Sequence, residues 1–297
     1  MQHQNLSPQI QARLRDPAYL DMHLAAVMAM REVGKTPWYD AHFLCFYEAA
    51  KVYLAKVRPD AIDSFVEGFA PLHTPRDFQV REVEALFSEA ELEPIRTVVR
   101  DLSSRELERH ELEHFGRHVV HDHPYFVDLQ LQLTALVSEL AGQELEPGYN
   151  FLSLYGNMGR CGLHMDQPVS MYTLDICIEQ DVEWPIWFSE LVDWPDREIL
   201  ANFDEEAIKR QLRFTPYVLK PGNAILFSGS SQWHYRDAMP RPGFCHLLFF
   251  HYFPKGCLDL VESSNWPRLF DIPELEALID VFRQTYPDAV DFKPSFA

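Results

Sequence analysis

Basic residues are scarce. Lys and Arg number 26 against 45 Asp and Glu, a formal charge of −19 at neutral pH. That balance speaks against nucleic acid as a partner, because neutralising phosphates takes a basic surface that such a chain supplies only locally. No apolar run is long enough to span a bilayer. Residues 1–8 combine neither a basic n-region nor an apolar h-region, so a soluble, cytoplasmic protein with no membrane partner is expected. Cysteine is sparse too. Cys45, Cys161, Cys177, Cys245 and Cys257 are scattered, odd in number and without a Cys-x-x-Cys pair, which argues against a disulfide framework or a structural zinc site. They read as small core residues, with Cys161, three before His164, the one placed to line a site. No repeat and no low-complexity tract occurs.

What is present fits a globular protein: 297 residues, 47% apolar and 13% aromatic, enough for one large or two modest domains with a real core. The chain is organised around His164-Met165-Asp166. Tyr149 to Tyr155 alternates apolar with small or polar residues and breaks at 156–162, which predicts a strand and a turn. Residues 163–180, rich in β-branched and apolar side chains, read as further strand. His164 and Asp166 stand two apart, so on an extended backbone both side chains leave one face. A third ligand must come from elsewhere. The candidate is His234, delivered by an apolar strand over 224–236 that follows the turn Lys220-Pro221-Gly222-Asn223. Two His and one carboxylate on one side of a metal, with its other positions open, form the facial triad of non-haem Fe(II) oxygenases.

With these residues in place, the chain resembles the Fe(II)/2-oxoglutarate-dependent oxygenase superfamily over roughly 78–253. The features that carry the resemblance are a lead-in helix, the strand with Tyr155, the His-x-Asp pair, the Pro-Gly turn, the distal His234 and a basic residue after it. The resemblance implies a mainly β, α+β fold: a double-stranded β-helix (jelly-roll, cupin-like barrel) flanked by helices. It divides the chain into a helical N-terminal extension, 1–77, and an oxygenase domain, 78–297, with a barrel core at about 149–253 and a C-terminal helix over 273–285. It implies that His164, Asp166 and His234 hold Fe(II), that 2-oxoglutarate and O2 are cosubstrates, and that succinate and CO2 are released as an unactivated C–H bond is hydroxylated. Halogenating relatives replace the triad carboxylate by a small residue; Asp166 is present here, so hydroxylation is the expected outcome.

Relatives hold the distal carboxylate of 2-oxoglutarate with a basic residue about ten positions beyond the distal His, where this chain has no Arg or Lys. Arg236, two beyond His234 and facing the same interior, is the first choice, then His246, then Arg241; a local ion pair with Asp237 is the competing reading of Arg236. Tyr155 stands where many relatives place a hydroxyl for the same carboxylate, and a core Tyr with a satisfied hydroxyl is its alternative.

Elsewhere, 21–33 and 39–57 carry apolar residues at helical spacing, and Phe65, Phe69 and Leu72 predict a third short helix, with a buttress, lid or dimer surface as the roles. Ser88 and Glu91 form a capping box that starts a helix, with Pro94 demanding an adjustment. Residues 128–140 read as a helix stopped at Gly142, and 201–212 as a helical insertion whose charge order suits its dipole. The Trp- and Pro-rich segment around Trp184 and Trp194 is core filler or pocket wall. His110-Glu111-Leu112-Glu113-His114 matches the zincin pattern, although 105–114 is charged nearly all round, as a solvated helix would be. The expected substrate is a small molecule such as a free amino acid or natural-product intermediate; oligomeric state is not legible. The alternatives are a peptidyl hydroxylase, a non-catalytic cupin-like metal or ligand binder, and a zinc metalloprotease using His110, Glu111 and His114.

Overall fold

A computed structural model describes residues 7–286. Most of the segment read for a leader (1–6) and the Pro-containing tail from 287 lie outside the described residues. The chain divides into two compact units. The first takes the described parts of Met1–Leu72, Trp194–Asp204 and Gly256–Lys293; the second is built of His73–Asp193 and Glu205–Lys255.

In the first unit, Asp16 caps the helix Pro17–Val33 by accepting the Ala18 N–H at 3.0 Å, with Pro17 at the position where no donor is needed. Helix His42–Val57 supplies Phe43 and Phe46 to an aromatic core. Phe46 lies 5.0 Å from Trp266 and 4.5 Å from Phe282, which is on the C-terminal helix Leu275–Thr285. The apolar face of that helix is therefore spent on the N-terminal helices, and the compact units run differently from the sequence-based division at 77/78. Among the described residues no helix is long and apolar enough to cross a membrane.

The second unit holds ten strands: β1 (Arg81–Val83), β2 (Arg117–His121), β3 (Leu145–Tyr155), β4 (Cys161–His164), β5 (Tyr172–Gln180), β6 (Ile186–Ser189), β7 (Phe214–Tyr217), β8 (Ala224–Phe227), β9 (His234–Arg236) and β10 (Cys245–Pro254). They form two antiparallel sheets, of six strands in the order β1-β8-β5-β10-β3-β2 and of four in the order β4-β9-β6-β7. Strand alternation sorts the core. Leu152, Leu248 and Phe250 pack with Leu92 and Ile95 of helix Glu89–Asp101 and Phe126 and Val137 of helix Pro124–Ala141. On the opposite face Tyr155, Cys177, Ile225, Phe227, Leu247 and Phe249 meet Ile186 and Phe188 of the smaller sheet, the Phe188 and Phe227 rings 4.5 Å apart. The space between the sheets is thus a shared interior.

Several sequence expectations hold locally. The capping box forms, with the Ser88 N–H donating to Glu91 at 2.8 Å, and Pro94 is accommodated within the helix it starts. Others divide. The run 163–180 is not one strand: β4 ends at His164, the Asp166 N–H turns away to donate to the Gly229 carbonyl at 2.9 Å, and Pro168, lacking a donor, opens a short 3-10 turn before β5. The run 224–236 likewise breaks into β8 and β9, which belong to different sheets. Its corner is held by the Ser228 N–H donating to Gln232 Oε1 at 3.0 Å and the Gly229 N–H to the Met171 carbonyl at 3.1 Å.

Candidate metal centre

β4 and β9 are neighbours with His164 directly opposite His234, their ring centroids 4.1 Å apart. The turn after β4 then brings Asp166 to both. Its Oδ1 lies 3.5 Å from His164 Nε2 and 3.6 Å from His234 Nε2, and one ligand atom from each of the three falls within 4.8 Å of the others. These separations exceed those of direct hydrogen bonds and leave room for an ion.

The outer nitrogens set the tautomers. His164 Nδ1 is 2.9 Å from the Gly162 carbonyl, and His234 Nδ1 is 2.9 Å from the Gln232 carbonyl. A carbonyl only accepts, so each Nδ1 carries the hydrogen and each Nε2 turns a lone pair towards Asp166. Two lone pairs and a carboxylate converging on one point form a donor set for a divalent cation, with the ring orientation fixed from behind as metal-ligating histidines require. Burial pushes the Asp166 carboxyl up; only with His234 and His164 protonated on Nε2 as well, and so positively charged, do these neighbours outweigh burial and hold it below the usual carboxylate range. Asp166 and His234 are buried while His164 is partly exposed, so the centre is reached past His164.

Gly229 makes room for this geometry: a Cβ there would run into Asp166 Oδ2 and the Ser170 carbonyl. Gly229→Ala should therefore push the carboxylate off its position and lower stability by about 1–3 kcal/mol, the usual range for overpacking. Urea unfolding and metal titration of the variant check both effects; wild-type behaviour in both would refute the crowding argument.

Arg236 also lies between the sheets, but it is already engaged. Nη2 donates to Asp175 Oδ2 at 2.7 Å and Nη1 to the Trp184 carbonyl at 2.6 Å, with the guanidinium 5.0 Å from the Trp184 ring centroid. Its partner is thus Asp175 rather than Asp237. Burial pushes the Asp175 carboxyl above its ordinary value despite Arg236.

A second buried guanidinium, Arg117, stands on β2 directly opposite Tyr155 on β3. It pairs with Glu111 through Nε and donates through Nη1 to the Tyr155 hydroxyl at 2.7 Å. Its face is packed by Phe115 and Phe151, 4.7 and 5.0 Å from their ring centroids. Cys161 links this group to the centre. Burial raises its thiol, Arg117, His234 and Arg236 oppose that, and its Sγ is 3.8 Å from His164 Nδ1.

Of the sequence-predicted residues, His164, Asp166 and His234 come together, and Tyr155 and Arg236 face the same interior. His246 and Arg241 do not join them. His246 is on β10 one residue out of phase with the inward Cys245 and Leu247, beside Glu179 at 3.9 Å and the Phe244 ring. Arg241 is exposed and donates to the Asn157 carbonyl at 2.8 Å.

The zincin expectation is corrected. Only Leu112–Phe115 is helical, stopped by Gly116 at φ 68°, and His110 lies before it, so His110 and His114 are not one turn apart on a helix. Glu111 is consumed by Arg117, and among the described residues the one clustered ligand set is the triad.

Arg117 escaped sequence reading. The available signal was a charged residue in phase with Val119 on Arg117-His118-Val119-Val120-His121, inward by alternation.

No protein-family model matches the chain, and no curated protein matches it. Solved structures of similar shape do. They include the non-haem alpha-ketoglutarate-dependent epimerase SnoN from nogalamycin biosynthesis (16% identity, covering 66% of this chain and 82% of that one, TM-score 0.49). The non-haem alpha-ketoglutarate-dependent carbocyclase SnoK from the same biosynthesis is similar at 13% identity, 62% and 83% coverage and TM-score 0.48. HygX from Streptomyces hygroscopicus, solved with nickel, 2-oxoglutarate and hygromycin B bound, is similar at 14% identity, 64% and 86% coverage and TM-score 0.48. At these identities and TM-scores the likenesses carry no functional weight; the centre's own geometry does.

Proposed function

We propose that this chain is a non-haem Fe(II)- and 2-oxoglutarate-dependent oxygenase whose two facing sheets form a double-stranded β-helix. The observation that carries the reading is the convergence of His164 Nε2, His234 Nε2 and Asp166 Oδ1, each histidine with its Nδ1 tied to a carbonyl. Three protein ligands on one side of an ion leave positions for a chelating cosubstrate and O2. When bound, the iron would let O2 act as the oxidant, one oxygen atom ending in succinate as 2-oxoglutarate loses CO2 and the other in the hydroxylated C–H bond. The protein's part is to fix the ligands, orient the cosubstrate and limit water in the interior.

For the distal carboxylate of the cosubstrate, Tyr155 with Arg117 is the better-supported anchor. The Tyr155 hydroxyl accepts from Arg117, which leaves its own hydrogen to donate, and Arg117 Nη2 makes no hydrogen bond among the described residues. Arg236, committed to Asp175 and Trp184, acts as a structural support of the same interior. A small-molecule substrate, such as a free amino acid or natural-product intermediate, accords with the acidic composition.

One observation favours a second reading, a cupin-like metal binder without turnover: both interior arginines already have a carboxylate partner in the protein, Glu111 and Asp175. Anaerobic titration with Fe(II) and then 2-oxoglutarate separates the two. The oxygenase reading expects a weak visible charge-transfer band in the wild type that is lost in His164→Ala. Iron-loaded, folded wild type without the band would end the 2-oxoglutarate assignment and leave the binder.

A further inference from the structure

We propose that Thr173 and His251 are positioning residues that commit Asp166 to one-oxygen coordination, a role that rests on the metal reading of the triad. Thr173 on β5 and His251 on β10 are directly paired across the larger sheet. Thr173 Oγ1 lies 2.9 Å from His251 Nδ1 and 3.3 Å from Asp166 Oδ2. All three side chains are buried, and the main chain of His251 is anchored through its carbonyl, which accepts from Gln130 Nε2 at 2.8 Å.

The direction of the chain of hydrogen bonds follows from satisfying each atom. His251 Nε2 is buried without a partner among the described residues, its ring walled by Tyr149 and Phe151 at centroid distances of 4.3 and 5.5 Å. A proton on Nε2 would be an orphaned donor, and Nδ1 would then draw the Thr173 hydrogen away from Asp166, leaving that carboxylate oxygen unpaired as well. With the proton on Nδ1, His251 donates to Thr173 and Thr173 donates to Asp166 Oδ2. The hydroxyl has one hydrogen, so its donation is committed. Oδ1, the oxygen facing both His164 and His234, is then the one left for an ion. Keeping the carboxylate to one oxygen preserves the coordination positions that a chelating cosubstrate needs.

Co(II) binding to the full-length protein, followed by its visible absorption without 2-oxoglutarate or O2, reads this role independently of turnover. Thr173→Val is expected to weaken Co(II) binding about 10–100-fold, the usual cost of losing a group that orients a metal ligand, and to change the band shape as the carboxylate rotates. Thr173→Ser, which keeps the hydroxyl, should bind as the wild type does. His251→Asn, which keeps an N–H near the Nδ1 position, should retain affinity that His251→Phe loses. Because His251 acts through Thr173, the Thr173→Val/His251→Phe double variant should bind no more weakly than Thr173→Val alone. Wild-type affinity and spectrum in a folded Thr173→Val, or losses that add in the double variant, would overturn the relay. If the wild type binds no Co(II), or His164→Ala binds it equally well, the metal reading itself fails and takes the relay with it.

Discussion

Arg236→Met is expected to cost about 3–5 kcal/mol of folding stability, the range for removing one partner of a buried ion pair. Asp175 is fully buried, and its Oδ1 has no hydrogen-bond partner among the described residues, so Arg236 is its main compensation. Without the guanidinium the carboxylate is left charged in an apolar interior or must take a proton. Adding Asp175→Leu should recover most of the loss, since two apolar side chains of similar volume replace the pair without stranding a charge. The pH dependence has a definite sign. In the single variant the folded-state pKa of Asp175, already raised by burial in the wild type, rises further once Arg236 no longer opposes it, so the folded state binds a proton to higher pH and loses more stability than wild type as pH rises above the ordinary Asp value of about 4. The deficit against wild type should therefore shrink as pH falls towards that value. Urea unfolding of the two variants at neutral and mildly acidic pH measures all of this. A single variant as stable as wild type at neutral pH would show that the pair does not hold the interior together.

The same pair shows where sequence reading stops. Arg236 is legible as inward-facing because it is two residues from His234 on an extended segment, but its partner is not: Asp175 arrives from β5, 61 residues away. Local spacing alone offers Asp237 and misses the residue that the fold supplies. The triad was more accessible because two of its members are adjacent but one, and the third sits on an apolar segment after a Pro-Gly turn. His164 and Asp166 do converge, but not as neighbours on one strand face: β4 ends at His164, and the Asp166 backbone is placed by its bond to Gly229. The sheets' corners do carry turn signals, Asp166-Gln167-Pro168 in one run and Ser228-Gly229-Ser230-Ser231-Gln232 in the other, and the hydrogen bonds of Asp166, Ser228 and Gly229 show where each run leaves its sheet. The zincin pattern misled in the other direction: the letters are right, but Glu111 turns to the buried Arg117 and helix begins only at Leu112.

Tyr155→Phe should weaken 2-oxoglutarate binding by roughly 10–100-fold, corresponding to the loss of one hydrogen bond to a charged group at about 1.5–3 kcal/mol. The Tyr155 hydroxyl is buried, and Arg117 donates to it at 2.7 Å, an arrangement in which guanidinium and phenol together can receive a carboxylate. Burial raises the Tyr155 pKa, with Arg117 pulling against it, so the phenol stays protonated and able to donate. Arg117→Lys should also weaken binding while sparing much of the fold, because the ammonium keeps a charge beside Glu111 but loses the planar fork. The decisive comparison is between 2-oxoglutarate and 2-oxobutyrate, which chelates a metal through the same keto-acid end and lacks the distal carboxylate. Wild type should prefer 2-oxoglutarate strongly, and both variants should lose most of that preference by weakening 2-oxoglutarate while leaving 2-oxobutyrate nearly unchanged. Anaerobic titration of the charge-transfer band gives the four affinities and the two wild-type references. If the preference survives in both variants but falls in the Arg236→Met/Asp175→Leu protein, the carboxylate is held at Arg236, and the Arg117–Tyr155 pair is a brace for β2 and β3 instead.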